Sequence, residues 1–195
     1  MTTFTQAPVL ADLLPLGGSC AMLKPRWTIG AGLLVMTGGA VALVASAAAP
    51  APPLSYPAAE RILVEKAARK MTLYGFDGSV TVISGIQLGD APVGPKQFEG
   101  DEKTPEGHFT IDYGNPNSAY HLSLHIDYPR AEHKAYAKAQ GRGAGGLIMI
   151  HGQPNNLPAG RMPGDWTDGC IALSNAEMDA LWEAVGDGTP IEIRP

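Results

Sequence analysis

Met71-Thr72-Leu73-Tyr74-Gly75-Phe76-Asp77-Gly78-Ser79-Val80-Thr81-Val82-Ile83 decides the fold class. Two short alternating runs flank Gly75-Phe76-Asp77-Gly78, and an Asp-Gly turn between β-formers signals a hairpin. The same pattern recurs outward from it. Phe109-Thr110-Ile111-Asp112-Tyr113 follows the turn Thr104-Pro105-Glu106-Gly107, in which Pro sets φ and Gly closes the bend. Tyr120 to Ile126 alternates, with Leu122, Leu124 and Ile126 on one face and His121, Ser123 and His125 on the other. Leu147-Ile148-Met149-Ile150 reads as a buried strand and Ile191-Glu192-Ile193 as a final one. The 24 Gly and 17 Pro fit many turns and short strands better than a helical bundle. The chain is therefore predicted to be mainly β.

Three segments read as helices. Ala58 to Lys70 is predicted as a short helix with Ile62, Leu63 and the Lys66 stem on one side, and Ala131 to Gln140 as an exposed one. The best marked opens on the capping box Ser174-Asn175-Ala176-Glu177. Met178, Leu181, Trp182 and Val185 then recur at core spacing until Gly186 stops the run.

Trp27 to Ala49 contains no charged residue, Lys24 and Arg26 stand just before it, and Ala45-Ser46-Ala47 supplies small residues for cleavage. These are the parts of a secretory signal, and the stretch also reaches the ~20 residues a membrane span needs. Residues 1–49 are read as a signal peptide or N-terminal membrane anchor through residues 27–49, residues 50–57 as an extended linker, and residues 58–195 as one domain. Either way, that domain is expected outside the cytoplasmic membrane, in the periplasm or cell envelope. The formal charge is −5, and without Lys24, Arg26 and Asp12 it is −6. An acidic domain with no Lys/Arg stripe argues against nucleic acid as a partner.

Beyond the export segment a single cysteine remains, in Thr167-Asp168-Gly169-Cys170-Ile171-Ala172-Leu173. An exported protein that keeps an unpaired thiol usually keeps it for chemistry. A thiol needs a base to become a nucleophile near neutral pH, and His151 stands where the apolar run Leu147 to Ile150 ends in His151-Gly152. The two can meet if the strand ending at His151 lies beside the turn holding Cys170. The N–H groups of Gly169 and Cys170 are then candidates for an oxyanion hole. An inert buried thiol and a strand-end histidine are the plain alternative.

These residues resemble the active-site signature of the YkuD-type L,D-transpeptidase catalytic domain. Pro92-Val93-Gly94-Pro95-Lys96 and Gly100-Asp101-Glu102-Lys103-Thr104-Pro105-Glu106-Gly107 agree with it. So does Asn115-Pro116-Asn117-Ser118-Ala119-Tyr120-His121-Leu122-Ser123-Leu124, which is similar to the YafK-like branch. The resemblance spans about residues 70–175. It implies a β-sandwich of the L,D-transpeptidase catalytic-domain type with one or two packed helices. It also implies that Cys170 attacks the diaminopimelate carbonyl of a peptidoglycan stem tetrapeptide and releases D-alanine, with an amine then taking the acyl group. His151 would serve as base and acid, the Gly152 carbonyl would orient it, and no metal or organic cofactor would be needed. An envelope protein could be acyl acceptor or substrate.

Two positions depart from that pattern: Asp168 stands where the family usually has His or a small residue, and Ala172 where it often has Arg. Lys96, Lys103, Arg142 and Arg161 are the cations available to replace that Arg. His121, Lys103, Thr167, Asp168 and Trp166 are the expected substrate-binding residues. His121 and His125 alternate on a strand without a Glu between them as a zinc helix would have, so no metal site is expected. Three functions remain open: acyl transfer, hydrolysis on the same scaffold (an L,D-carboxypeptidase, or an amidase cutting a protein–peptidoglycan link), and a non-catalytic wall-binding module.

Overall fold

A computed structural model describes residues 52–195. The expected export segment, residues 1–49, lies outside the described residues. The hairpin expected at residues 71–83 is formed by β2 (Lys70–Gly75) and β3 (Val80–Ser84), with Met71 opposite Ile83 and Leu73 opposite Thr81. Its turn closes through Gly75 N–H to the Ser79 carbonyl at 2.9 Å, with Asp77 Oδ1 accepting from Ser79 N–H at 3.0 Å.

The remaining elements in chain order are β1 (Ala59–Glu65), β4 (Gly107–Ser118), β5 (His121–Ile126), α1 (Ala131–Ala139), β6 (Met149–His151), β7 (Ile171–Ala172), α2 (Asn175–Ala184) and β8 (Pro190–Arg194), with β2 and β3 between β1 and β4. All eight strands join one sheet in the order β3-β2-β1-β8-β4-β5-β6-β7. β4 is the strand that bends the sheet. Gly107 to Thr110 pair with β8, whereas Ile111 to Ser118 pair with β5, and the register slips between Ile111 and Tyr113 and again between Asn115 and Ser118. Such irregularities bend a strand and increase its twist, so the two halves of the sheet curl around a shared interior. That interior holds Ile62, Val64, Met71 and Leu73 from one half and Ile111, Ile126, Ile150 and Ile171 from the other, with Met178 and Leu181 of α2. This is the mainly β architecture with two helices that the sequence implied.

α2 carries the expected capping box: Ser174 Oγ accepts from Glu177 N–H, and Glu177 Oε2 accepts from Ser174 N–H at 2.9 Å. Trp182 lies flat on β4, where a Cβ on Gly114 would come within 2.6 Å of its ring. That contact explains a glycine in the middle of a long strand.

Two expectations fail. The segment expected as a helix over Ala58 to Lys70 is strand β1 followed by a turn. β1 is sandwiched between β2 (antiparallel) and β8 (parallel), with Ile62 opposite Ile191 and Val64 opposite Ile193. Ile62, Leu63 and Val64 are consecutively buried, as expected of a strand covered on both faces, so the alternation that marks a half-exposed strand is missing. Distant pairing overrides the local helical preference. The strand expected at Leu147 begins instead at Met149, and Leu147 is 73% exposed with a left-handed φ of 54°.

Lys66, expected to lay its stem along a helix, is buried just past β1. Its Nζ donates to the carbonyls of Gly94 at 2.7 Å and Thr104 at 3.1 Å, and to Glu106 Oε1 at 2.8 Å. Burial pushes its pKa down and the Glu106 carboxylate pulls it back up. Removing one partner of a buried ion pair leaves the other uncompensated, at a cost of about 3–5 kcal/mol. Lys66→Ala is expected to lose about that much stability in urea denaturation, and Lys66→Met with Glu106→Leu to lose less. A single-variant loss indistinguishable from zero would contradict the clamp.

Candidate active site

Ile150 of β6 and Ile171 of β7, both fully buried, form the first pair of a two-residue parallel ladder, and His151 lies opposite Ala172. Side chains alternate along a strand, so Met149 and His151 face away from Ile150, and Cys170, just before β7, faces away from Ile171. The sulfur and the imidazole therefore occupy the same face as diagonal neighbours. Both line a cleft of about 300 Å³ together with Tyr120, Leu147 and Trp166. Cys170 is half-buried and His151 is buried. The thiol bonds to main chain: Sγ accepts from Met149 N–H at 3.4 Å and donates to the Leu147 carbonyl at 3.6 Å.

His151 Nδ1 sits 2.7 Å from the Gly152 carbonyl oxygen. A carbonyl only accepts, so Nδ1 carries the proton and Nε2 is left with a free lone pair. Gly152 is pinned in turn, donating its N–H to the carbonyls of Tyr120 at 3.0 Å and Leu122 at 3.2 Å. A Cβ there would fall 2.6 Å from Asn175 Oδ1 and 2.8 Å from His121 Cβ, so only glycine fits. The imidazole lies between two aromatic rings, Tyr120 at 4.7 Å and Trp166 at 5.6 Å between centroids.

The loop carrying Cys170 is locked by its own residues and by two neighbouring segments. Thr167 Oγ1 donates to the Cys170 carbonyl at 2.8 Å and accepts from Gly169 N–H at 3.2 Å. The N–H groups of Trp166 and Thr167 both reach the Leu88 carbonyl at 3.1 Å. Gly169 has φ 121°, and a Cβ on it would lie 2.3 Å from the Lys103 carbonyl oxygen; a Cβ on Gly89 would lie 2.0 Å from that of Glu102. The 102–103 backbone thus presses on both glycines. Asp101 holds that strap, accepting from Lys96 Nζ at 2.9 Å and from the N–H groups of Gln97, Phe98 and Lys103.

Of the expected substrate-binding residues, Thr167, Asp168 and Trp166 line the cleft. His121 and Lys103 do not. His121, with a left-handed φ of 68°, turns its Nε2 to Asp179 on α2, and Lys103 contributes its carbonyl to the strap while its ammonium sits beside Gly94. Gly169, expected to offer its N–H to an oxyanion, has it on Thr167 Oγ1. His125 pairs with Asp112 at 2.6 Å, and no group of three His, Cys, Asp or Glu able to hold a metal occurs among the described residues. Tyr120, Gly146, Leu147 and Ile148 line the cleft without having been expected there. Tyr120 was within reach of sequence reasoning, as an aromatic next to a histidine at the start of a strand.

The L,D-transpeptidase catalytic domain family, YkuD, matches residues 59–193. YafK of Escherichia coli (strain K12), which bears an L,D-transpeptidase name, is 32% identical over 95 residues, covering 48% of this chain and 32% of that protein. The chain thus matches about a third of the length of that curated relative. Among solved structures, the helical cell shape determining protein Pgp2 from Campylobacter jejuni aligns with a TM-score of 0.56 at 28% identity, over 73% of this chain and 50% of that one.

Burial pushes the Cys170 thiol pKa up; the Met149 N–H draws it down, Asp168 adds to the rise and Lys96 opposes it. Burial pushes the His151 pKa down, offset in part by its bond to Gly152. Both shifts favour the uncharged form, so the resting pair is thiol and neutral imidazole near pH 7. Alkylation of Cys170 by iodoacetamide is expected to be slower at pH 7 than for a free cysteine, and to rise with a midpoint above the ordinary thiol value of about 8.5. A midpoint below that value would mean a preformed thiolate–imidazolium pair.

Proposed function

The chain belongs to the L,D-transpeptidase catalytic domain family, and on that footing we propose that it is a cell-envelope enzyme that remodels peptidoglycan stem peptides through a thioester on Cys170. The observation that carries this reading is the shared face of β6 and β7: a half-buried thiol, a buried imidazole with Nδ1 held by the Gly152 carbonyl, and one cleft touching both.

In the first step Cys170 Sγ attacks the diaminopimelate carbonyl while its proton passes to His151 Nε2. The C–S bond forms, the carbonyl oxygen takes the negative charge, and the Cys170 N–H is the donor nearest to it. Collapse breaks the C–N bond, and the imidazolium gives its proton to the departing D-alanine amine. An acceptor amine then attacks the thioester, losing its proton to His151, and the thiol is regenerated with that proton. A neutral resting pair suits this sequence, because the proton moves only as the new bond forms. The product is a cross-link, or an envelope protein joined to the wall. Residues 1–49 would deliver the domain across the membrane, as a cleaved signal or as an anchor; among the described residues no helix is long and apolar enough to span one.

Hydrolysis on the same thioester is the second reading, favoured by the exposure of Leu147 and Asp168 at the cleft, which gives water a path to the acyl carbon. The two outcomes differ only in the second nucleophile.

Tetrapeptide muropeptides incubated with the protein are expected to give a mass adduct on Cys170 and released D-alanine. Cys170→Ala should remove both, lowering release at least about a thousandfold, and His151→Gln should lower it about 10²- to 10⁴-fold. Cross-linked product with added amine supports transfer, whereas tripeptide alone supports hydrolysis. Undiminished release by Cys170→Ala would overturn the reading.

A further inference from the structure

On the reading that Cys170 acylates at this cleft, the charge around the sulfur decides which substrates are admitted. Tyr120, Leu147, Ile148, Trp166 and Thr167 line the cleft without formal charge, and Asp168 adds a carboxylate. Asp168 is exposed, and among the described residues its carboxylate takes part in no ion pair. Its contact with Lys96 runs through its main-chain carbonyl, 3.5 Å from Nζ.

The surrounding cations are otherwise occupied. Lys96 is buried and paired with Asp101 at 2.9 Å. Arg161 is held by Glu177 and the Gly85 carbonyl, and Arg69 by Asp165. Arg142 lies 4.0 Å over the Phe98 ring, and the Lys103 ammonium is beside Gly94. None of these side chains lines the cleft. The nucleophile therefore works beside one uncompensated negative charge.

A carboxylate on the departing amine would meet that charge with no lining cation to relieve it. An ammonium group at the same bond would be attracted. We infer that Asp168 is a specificity-determining residue that sorts substrates by charge at the attacked bond. It favours donors with an ammonium group there and disfavours donors whose departing amine bears a free carboxylate. The matching substrate class is an amide whose leaving group has its carboxyl blocked, or is a side-chain amine of a longer peptide.

Binding to the Cys170→Ala protein tests this without turnover. Two stem tetrapeptides are compared by calorimetry, identical except that the terminal D-alanine is a free acid in one and a primary carboxamide in the other. The carboxamide is expected to bind about tenfold more tightly in low salt, with the difference shrinking as salt rises toward about 1 M, where screening acts within about 3 Å. Asp168→Asn in the same background should bring the two affinities within about twofold, while Asp168→Glu should keep the preference. If Asp168→Asn does not fold, the salt series and Asp168→Glu still decide. Equal affinities in the Cys170→Ala protein, or a preference untouched by Asp168→Asn and by salt, would overturn the inference and leave the proposed function standing. Failure of either peptide to bind would overturn both.

Discussion

The parallel pairing of Ile150 with Ile171 is the constraint on which the rest of the site depends. It is only two residues long, yet it fixes which face receives Cys170 and which receives His151. Both isoleucines are fully buried, so slipping the register by one residue would drive polar groups into the core and lift both isoleucines out of it. The chemistry on one face is thus held in place by apolar packing on the other. The main chain adds the next layer: the Leu173 N–H reaches the His151 carbonyl at 2.9 Å, and the Gly152 carbonyl holds Nδ1.

The cysteine loop gets its shape from the strap that crosses it. Lys66 holds the carbonyls of Gly94 and Thr104 and the carboxylate of Glu106, and Asp101 gathers the N–H groups of the residues before it. These contacts press the 102–103 backbone against Gly89 and Gly169 so closely that no side chain fits at either position. Lys-Thr-Pro-Glu-Gly is a turn, and it is also the lid that sets the loop behind the thiol. The buried lysine at its base links the first strand of the domain to the nucleophile.

What could be read from the sequence was what is encoded locally. The hairpin at residues 71–83, the alternating β5 and the capped α2 each carry their signal within a few residues, and each formed as expected. β1 did not, because its identity is set by β8 at the far end of the chain, and a strand buried on both faces lacks alternation. At the site, Cys170, His151, Thr167, Asp168 and Trp166 share the cleft as their motif suggested. His121 and Lys103 were misread because a motif names a neighbourhood and not a side-chain direction. A left-handed backbone swings His121 toward Asp179, and Lys103 turns inward only its carbonyl. Tyr120 was missed for the same reason, its ring being brought against His151 by the turn between β4 and β5.

The tautomer of His151 is the most direct test of the account, since proton transfer from sulfur requires an unprotonated Nε2 facing the thiol's cleft. Nitrogen NMR of the ¹⁵N-histidine-labelled protein near pH 7 should show Nδ1 protonated and Nε2 bare, and alkylating Cys170 should shift the Nε2 resonance. A protonated Nε2, or a resonance indifferent to modification of the sulfur, would contradict it.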